Sequence, residues 1–142
     1  MKLPIPLRAT TPDGWAEAAL RDPAALLSDH AHNERKAALG ALQLAQKLRD
    51  QPHALLILAR LAEEELNHHR RVIEALQRFG WALGPDGGNR YAQGLHAHGK
   101  DLLDRLLIAA LIEARSSERL WLLEQACTRH PELGAAPWMD FL

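Results

Sequence analysis

Three stretches of this chain, residues 27–48, 58–79 and 106–127, repeat their apolar residues every three or four positions. That is the α-helical period, and no run of comparable length alternates as a half-buried strand would. The prolines fall between the stretches. Asp22-Pro23 precedes the first, Asp50-Gln51-Pro52 separates the first from the second, and Gly80 and Pro85-Asp86-Gly87-Gly88 follow the second. An acid before a proline is a helix start, because the side chain caps free N–H groups and proline gives up a donor that has no partner there. The pattern predicts helices from Pro23 to about Arg49, from Pro52 to about Phe79, and from between Ala92 and Asp101 to about Arg129. Leu and Ala dominate the 47% hydrophobic content, which favours helix over sheet. The 142 residues suit one domain, 1–142, of all-α class, in which the short link at residue 50 makes the first two helices antiparallel.

Each stripe is interrupted by an acid near its middle. The first reads Leu27, Ala31, Glu34, Ala38, Ala41, Ala45, Leu48. The second reads Leu58, Leu61, Glu65, His68, Val72, Ala75, Phe79, and the third Leu106, Ala109, Glu113, Ser116, Leu120, Leu123, Cys127. A carboxylate is seldom buried unless it is paired or bound to a metal. One such glutamate can snorkel out or meet an arginine, so taken singly it says little. Three on three helices, with His68 a turn beyond Glu65, predict a metal site built from Glu34, Glu65, His68 and Glu113. Mixed carboxylate and imidazole donors suit iron or manganese.

Other polar residues read differently. Glu118 lies on another stripe and is expected to pair with Arg115 or Arg119. His30 stands one turn before Glu34, either behind it or at the surface, and His69 points about 100° away from His68. The pairs His30/His32 and His96/His98 have a spacing that suits a strand better than a helix face, so neither is given a metal role. Cys127 has no second cysteine or adjacent histidine and reads as an inert core thiol. Gly87-Gly88 is a turn without a phosphate-binding fingerprint around it. Arg70, Arg71, Arg78, Arg90, His96, His98 and Lys100 form either a basic patch for RNA phosphates or a solvated face.

The net charge of −1 gives no global field for nucleic acid. A single cysteine allows no intrachain disulfide and suits a reducing cytoplasm. Residues 1–11 hold two prolines and lack the apolar core of a signal peptide, and Leu106–Ile112 is too short to span a bilayer. A short helix from Trp15 to Leu20, capped by Thr11, is expected before the first long one. The tail from His130 to Leu142 is too short and broken for a fourth core helix.

Several segments together resemble the bacterial tRNA 2-methylthio-N6-isopentenyladenosine hydroxylases. They are Leu27-Ser-Asp-His-Ala-His-Asn-Glu-Arg-Lys-Ala-Ala38, Glu63-Glu-Glu-Leu-Asn-His-His69, Asn89-Arg90-Tyr91-Ala92 and Leu106-Leu-Ile-Ala-Ala-Leu-Ile-Glu-Ala-Arg-Ser-Ser-Glu-Arg119. Thr11-Pro-Asp-Gly-Trp15 fits as well, and the resemblance runs over about residues 10–125. It implies a ferritin-like up-down bundle with a non-haem di-iron centre, in which Glu34, Glu65, His68 and Glu113 are iron ligands. It also implies a monooxygenase that uses dioxygen to hydroxylate the isopentenyl group of a hypermodified adenosine beside the tRNA anticodon, with electrons from a reductase. Two departures stand out. The family's second Glu-x-x-His follows a segment similar to Pro131-Glu-Leu-Gly134, and the sequence reaches Leu142 without it. Ser117 stands where many relatives have cysteine. The expectation is therefore a bundle lacking its last helix, with a groove open to a second copy of the chain. The alternative is an inactive or single-metal remnant that acts as a metal-binding or protein-interaction module.

Overall fold

The computed structural model describes residues 7–134, and its regular structure is helical throughout. The elements are α1 (Trp15–Leu20), α2 (Pro23–Lys47), α3 (Pro52–Arg78), α4 (Arg90–His96), α5 (Leu102–Arg129) and α6 (Pro131–Gly134). The class is all-α as expected, with α4 and α6 as short additions. His30 and His32 both lie inside α2, and His96 ends α4, so the strand-like spacing of these pairs does not mark strands. Among the described residues no helix is long and apolar enough to cross a membrane.

The described residues fall into two compact units. One is Asp22–Asp86, which holds α2 and α3; the other comprises residues 7–21 with those from Gly87 onward.

In the first unit, α2 starts where the sequence says. The Asp22 carboxylate accepts from the Ala25 N–H at 3.0 Å, and Pro23 takes the first helical position. Small residues along α2 (Ala31, Ala38 and Ala41, all buried) let α3 come close. Across from them lie buried Leu58, Ala62, Val72, Ala75 and Leu76. Leu27, Leu76 and Val72 are the largest fully buried side chains, each contributing about 1.5–3 kcal/mol by leaving water. Helix α3 ends in a Schellman arrangement. The Trp81 N–H bonds the Leu76 carbonyl at 2.8 Å, the Gly80 N–H bonds that of Gln77 at 3.0 Å, and Gly80 takes φ +70°. The chain then runs back over α2. Ser28 Oγ accepts from the Gly84 N–H at 2.9 Å, and His32 Nε2 meets the Gly84 carbonyl at 2.9 Å. Asp86 pairs with Arg35 at 3.1 Å and with Lys36 at 2.6 Å.

The second unit is organised around a polar hub. Arg115 on α5 is buried and bonds Thr11 Oγ1 at 3.2 Å, the Ala9 carbonyl at 2.6 Å and the Glu118 carboxylate. Its guanidinium lies 5.2 Å from the Tyr91 ring centre, and Arg119 lies 5.0 Å from that of Trp15. Thr11 does not cap α1. Its hydroxyl donates to Glu118 at 2.7 Å, and α1 instead follows Gly14 at φ +76°. Helix α5 begins with a reciprocal cap, Asp101 accepting from the Asp104 N–H and Asp104 from the Lys100 N–H, both at 2.9 Å.

The buried face of α5 is not the one the periodicity selects. Ile108, Ala114, Arg115, Leu123 and Ala126 are buried, whereas Leu106, Ala109, Glu113, Ser116 and Leu120 are exposed. The buried face overlaps the predicted stripe only at Leu123, with Cys127 half-buried. The reason is the hub. Arg115 and Glu118 lie on the buried side because the N-terminal segment supplies their partners, which a stripe counted in apolar residues overlooks.

Candidate metal centre

The link between α2 and α3 is a turn closed by the Leu48 N–H on the Ala45 carbonyl and the Gln51 N–H on the Leu48 carbonyl. It returns α3 antiparallel, so the middle of one helix meets the middle of the other. His69 fixes the register, its Nδ1 lying 2.7 Å from the Ala31 carbonyl on α2. With that bond made, Glu34, three residues along α2, faces Glu65 and His68 on α3.

One ligand atom from each of Glu34, Glu65 and His68 lies within 4.8 Å of the other two. His68 Nδ1 is 3.5 Å from Glu34 Oε2 and 3.8 Å from Glu65 Oε2. The two carboxylates are 15% and 14% exposed while His68 is 51% exposed, so the acids are held inside and the imidazole forms the open rim. Two carboxylates and an imidazole are donor types that iron or manganese accepts together. Ligands on opposite sides of one ion are separated by about 4.2 Å. The separations of His68 Nδ1 from the two carboxylates, 3.5 and 3.8 Å, fall inside that span, so the donor set fits one ion.

The sequence pointed to four residues, and the α2–α3 hairpin gathers three of them. Glu113 belongs to the other unit, exposed on α5. His68 was expected in the core and instead lies half outside. Glu118 pairs with Arg115, as expected. Burial acts to raise the Glu118 pKa, but hydrogen bonds from Thr11 and Arg115 outweigh it and hold the carboxyl below its ordinary range. Burial pushes the Cys127 thiol up, which suits an inert side chain. No sequence pattern marks the roles of Ser28, His32 and His69. Their partners are backbone groups far away along the chain, and only chain folding brings those near.

Comparison with known proteins agrees with this architecture. A family model described as tRNA-(MS[2]IO[6]A)-hydroxylase (MiaE) matches residues 4–136. A tRNA 2-(methylsulfanyl)-N(6)-isopentenyladenosine(37) hydroxylase of Pseudomonas putida is 45% identical over 118 residues, covering 80% of this chain and 58% of its own. Among solved structures, Protein 43 with aldehyde deformylating oxygenase activity from Synechococcus, a ferritin-like helical protein, superposes with a TM-score of 0.76 at 39% identity. That match covers 82% of this chain and 61% of the Synechococcus chain. The chain thus spans about three fifths of each relative's length, 58% and 61%.

Proposed function

The chain belongs to the tRNA-(MS[2]IO[6]A)-hydroxylase family, and from that premise we propose that it serves oxygen-dependent hydroxylation of the isopentenyl group on a hypermodified adenosine next to the tRNA anticodon. The observation that carries this reading is the convergence of Glu34, Glu65 and His68, whose donor atoms lie within 4.8 Å of one another. Glu34 and Glu65 would hold non-haem iron from the enclosed side, and His68 would close the set from the rim. Glu113 is the fourth ligand on the family pattern, which expects two iron ions. Bound ferrous iron would supply the activation of dioxygen that attack on an unactivated C–H bond requires.

The chain's own residues do the rest. The α2–α3 contact keeps both carboxylates out of bulk water, so their charge is available to a cation and not spent on hydration. His69 holds the two helices in the register that brings the acids together. The exposed rim at His68 is the side from which a substrate or dioxygen reaches the site. Electrons come from an external reductase and the RNA partner is tRNA, both as the family pattern expects.

A second reading, a single-ion site, is favoured by the fact that three ligand residues converge in this hairpin. One experiment separates the two. The chain is reconstituted with ferrous iron without oxygen, and iron per chain is measured beside the mass of the assembly. Two irons per chain, with hydroxylation of an isopentenylated anticodon stem-loop, support the di-iron reading. One iron supports the single-ion reading, and no iron overturns both.

A further inference from the structure

Within four residues of Glu34 or Glu65 along α2 and α3 stand four histidines: His30, His32, His68 and His69. Three of them are already accounted for. His32 is held to the Gly84 carbonyl, His69 to that of Ala31, and His68 belongs to the donor set. The fourth, His30, meets a carboxylate. Its Nδ1 lies 3.3 Å from Glu34 Oε1, one helical turn further on, and its side chain is 21% exposed. The other oxygen of the same carboxylate, Oε2, lies 3.5 Å from His68 Nδ1. Glu34 therefore stands between two imidazoles, one at each oxygen.

An imidazole in this place is either another ligand or the group that holds one. The distances favour the second. Glu34, Glu65 and His68 form the mutually close set, and His30 is outside it. Among the described residues, Glu34 is the carboxylate that comes within ion-pair distance of His30. We propose that His30 is a positioning residue, donating Nδ1–H to Glu34 Oε1 and thereby turning Oε2 toward a cation shared with Glu65 and His68. This rests on the metal reading given above. A glutamate on a half-enclosed helix face otherwise explores several rotamers, and ordering it at the moment of binding costs entropy. A hydrogen bond to one oxygen removes that freedom beforehand and aims the other. Hydrogen-bonded ligand carboxylates of this kind affect metal affinity by about 10–100-fold.

The test is a titration of the full chain with cobalt(II) alone, followed by visible absorption, which reports coordination without turnover. Wild type is compared with E65A, H30A and H30N, and the thermal unfolding of each metal-free protein is recorded by circular dichroism. Alanine at position 30 keeps the helix, and asparagine offers an N–H near the place of Nδ1. Cobalt binding to wild type, its loss in E65A, an affinity about tenfold or more weaker in H30A with a shifted band, and recovery in H30N would support the proposal. The metal-free unfolding temperature of H30A is expected to stay that of wild type. H30A binding within about twofold of wild type with the same band would overturn the role of His30 and leave the metal site standing. H30N no better than H30A would also overturn it, pointing to the imidazole itself as a ligand. Wild type that takes up no cobalt would overturn the metal reading, and the role of His30 with it.

Discussion

The hairpin of α2 and α3 and the hub around Arg115 both place charged side chains in partly or wholly enclosed surroundings, but they do so in opposite ways. In the hub every charge has a protein partner. Arg115 has Glu118, Thr11 and the Ala9 carbonyl, and Glu118 has Arg115 and both Thr11 groups. In the hairpin, two carboxylates and an imidazole converge on one another. Charge answered by a guanidinium is a clamp, and carboxylates gathered around an imidazole are a donor set. The difference lies in the neighbours and not in the glutamates, since Glu34, Glu65 and Glu118 are all mid-helix acids on partly buried faces.

The sharpest way to break this comparison is to remove one charged side chain from each region. E65A is expected to abolish metal uptake while leaving the helical spectrum intact, as measured by metal content after anaerobic loading. Unchanged uptake would mean the hairpin is no site at all. In the hub, R115A takes the guanidinium from Glu118 and from the Ala9 carbonyl, leaving Glu118 with the Thr11 groups alone. The expected cost is about 3 kcal/mol in urea unfolding, because an enclosed charge loses its partner. A cost near zero would mean the N-terminal segment is not clamped.

A pH series sharpens the contrast further. The Glu118 carboxyl is held below its ordinary range, so its contribution to stability is complete above the unfolded-state pKa and is lost as pH falls through the lower folded-state value. Urea midpoints from pH 7 down to pH 3 are expected to fall more steeply in wild type than in E118Q. Parallel curves would deny Glu118 its role. The smallest effect belongs to the start of α2. D22A removes the cap on Ala25 and is expected to cost about 1 kcal/mol, read from the same denaturation curves.

Much of the fold was legible in the residues. Asp22-Pro23, Pro52 and Gly80 marked the ends of α2 and α3 to within about two residues, because capping and proline geometry are local. The acids Glu34 and Glu65 were legible as facing each other because a short link leaves two amphipathic helices little choice of face. On α5 the same reasoning picked Leu106, Glu113 and Leu120, and these are exposed. The face that is buried carries Arg115, and its partners Ala9 and Thr11 lie 106 and 104 residues away.

By itself, then, the sequence determined α2 and α3 with their ends, the presence of α1 and α5, the pairing of α2 with α3 and the residues that resemble a hydroxylase family. These follow from interactions within a few turns of chain or across one tight turn. Only the tertiary structure decided which face of α5 is buried, that His69 and His32 grip distant carbonyls, and that His30 stands against one oxygen of Glu34 while His68 stands near the other. Those outcomes depend on backbone and side-chain partners brought together by folding, and a periodicity counted in apolar residues carries no information about where a polar partner will arrive.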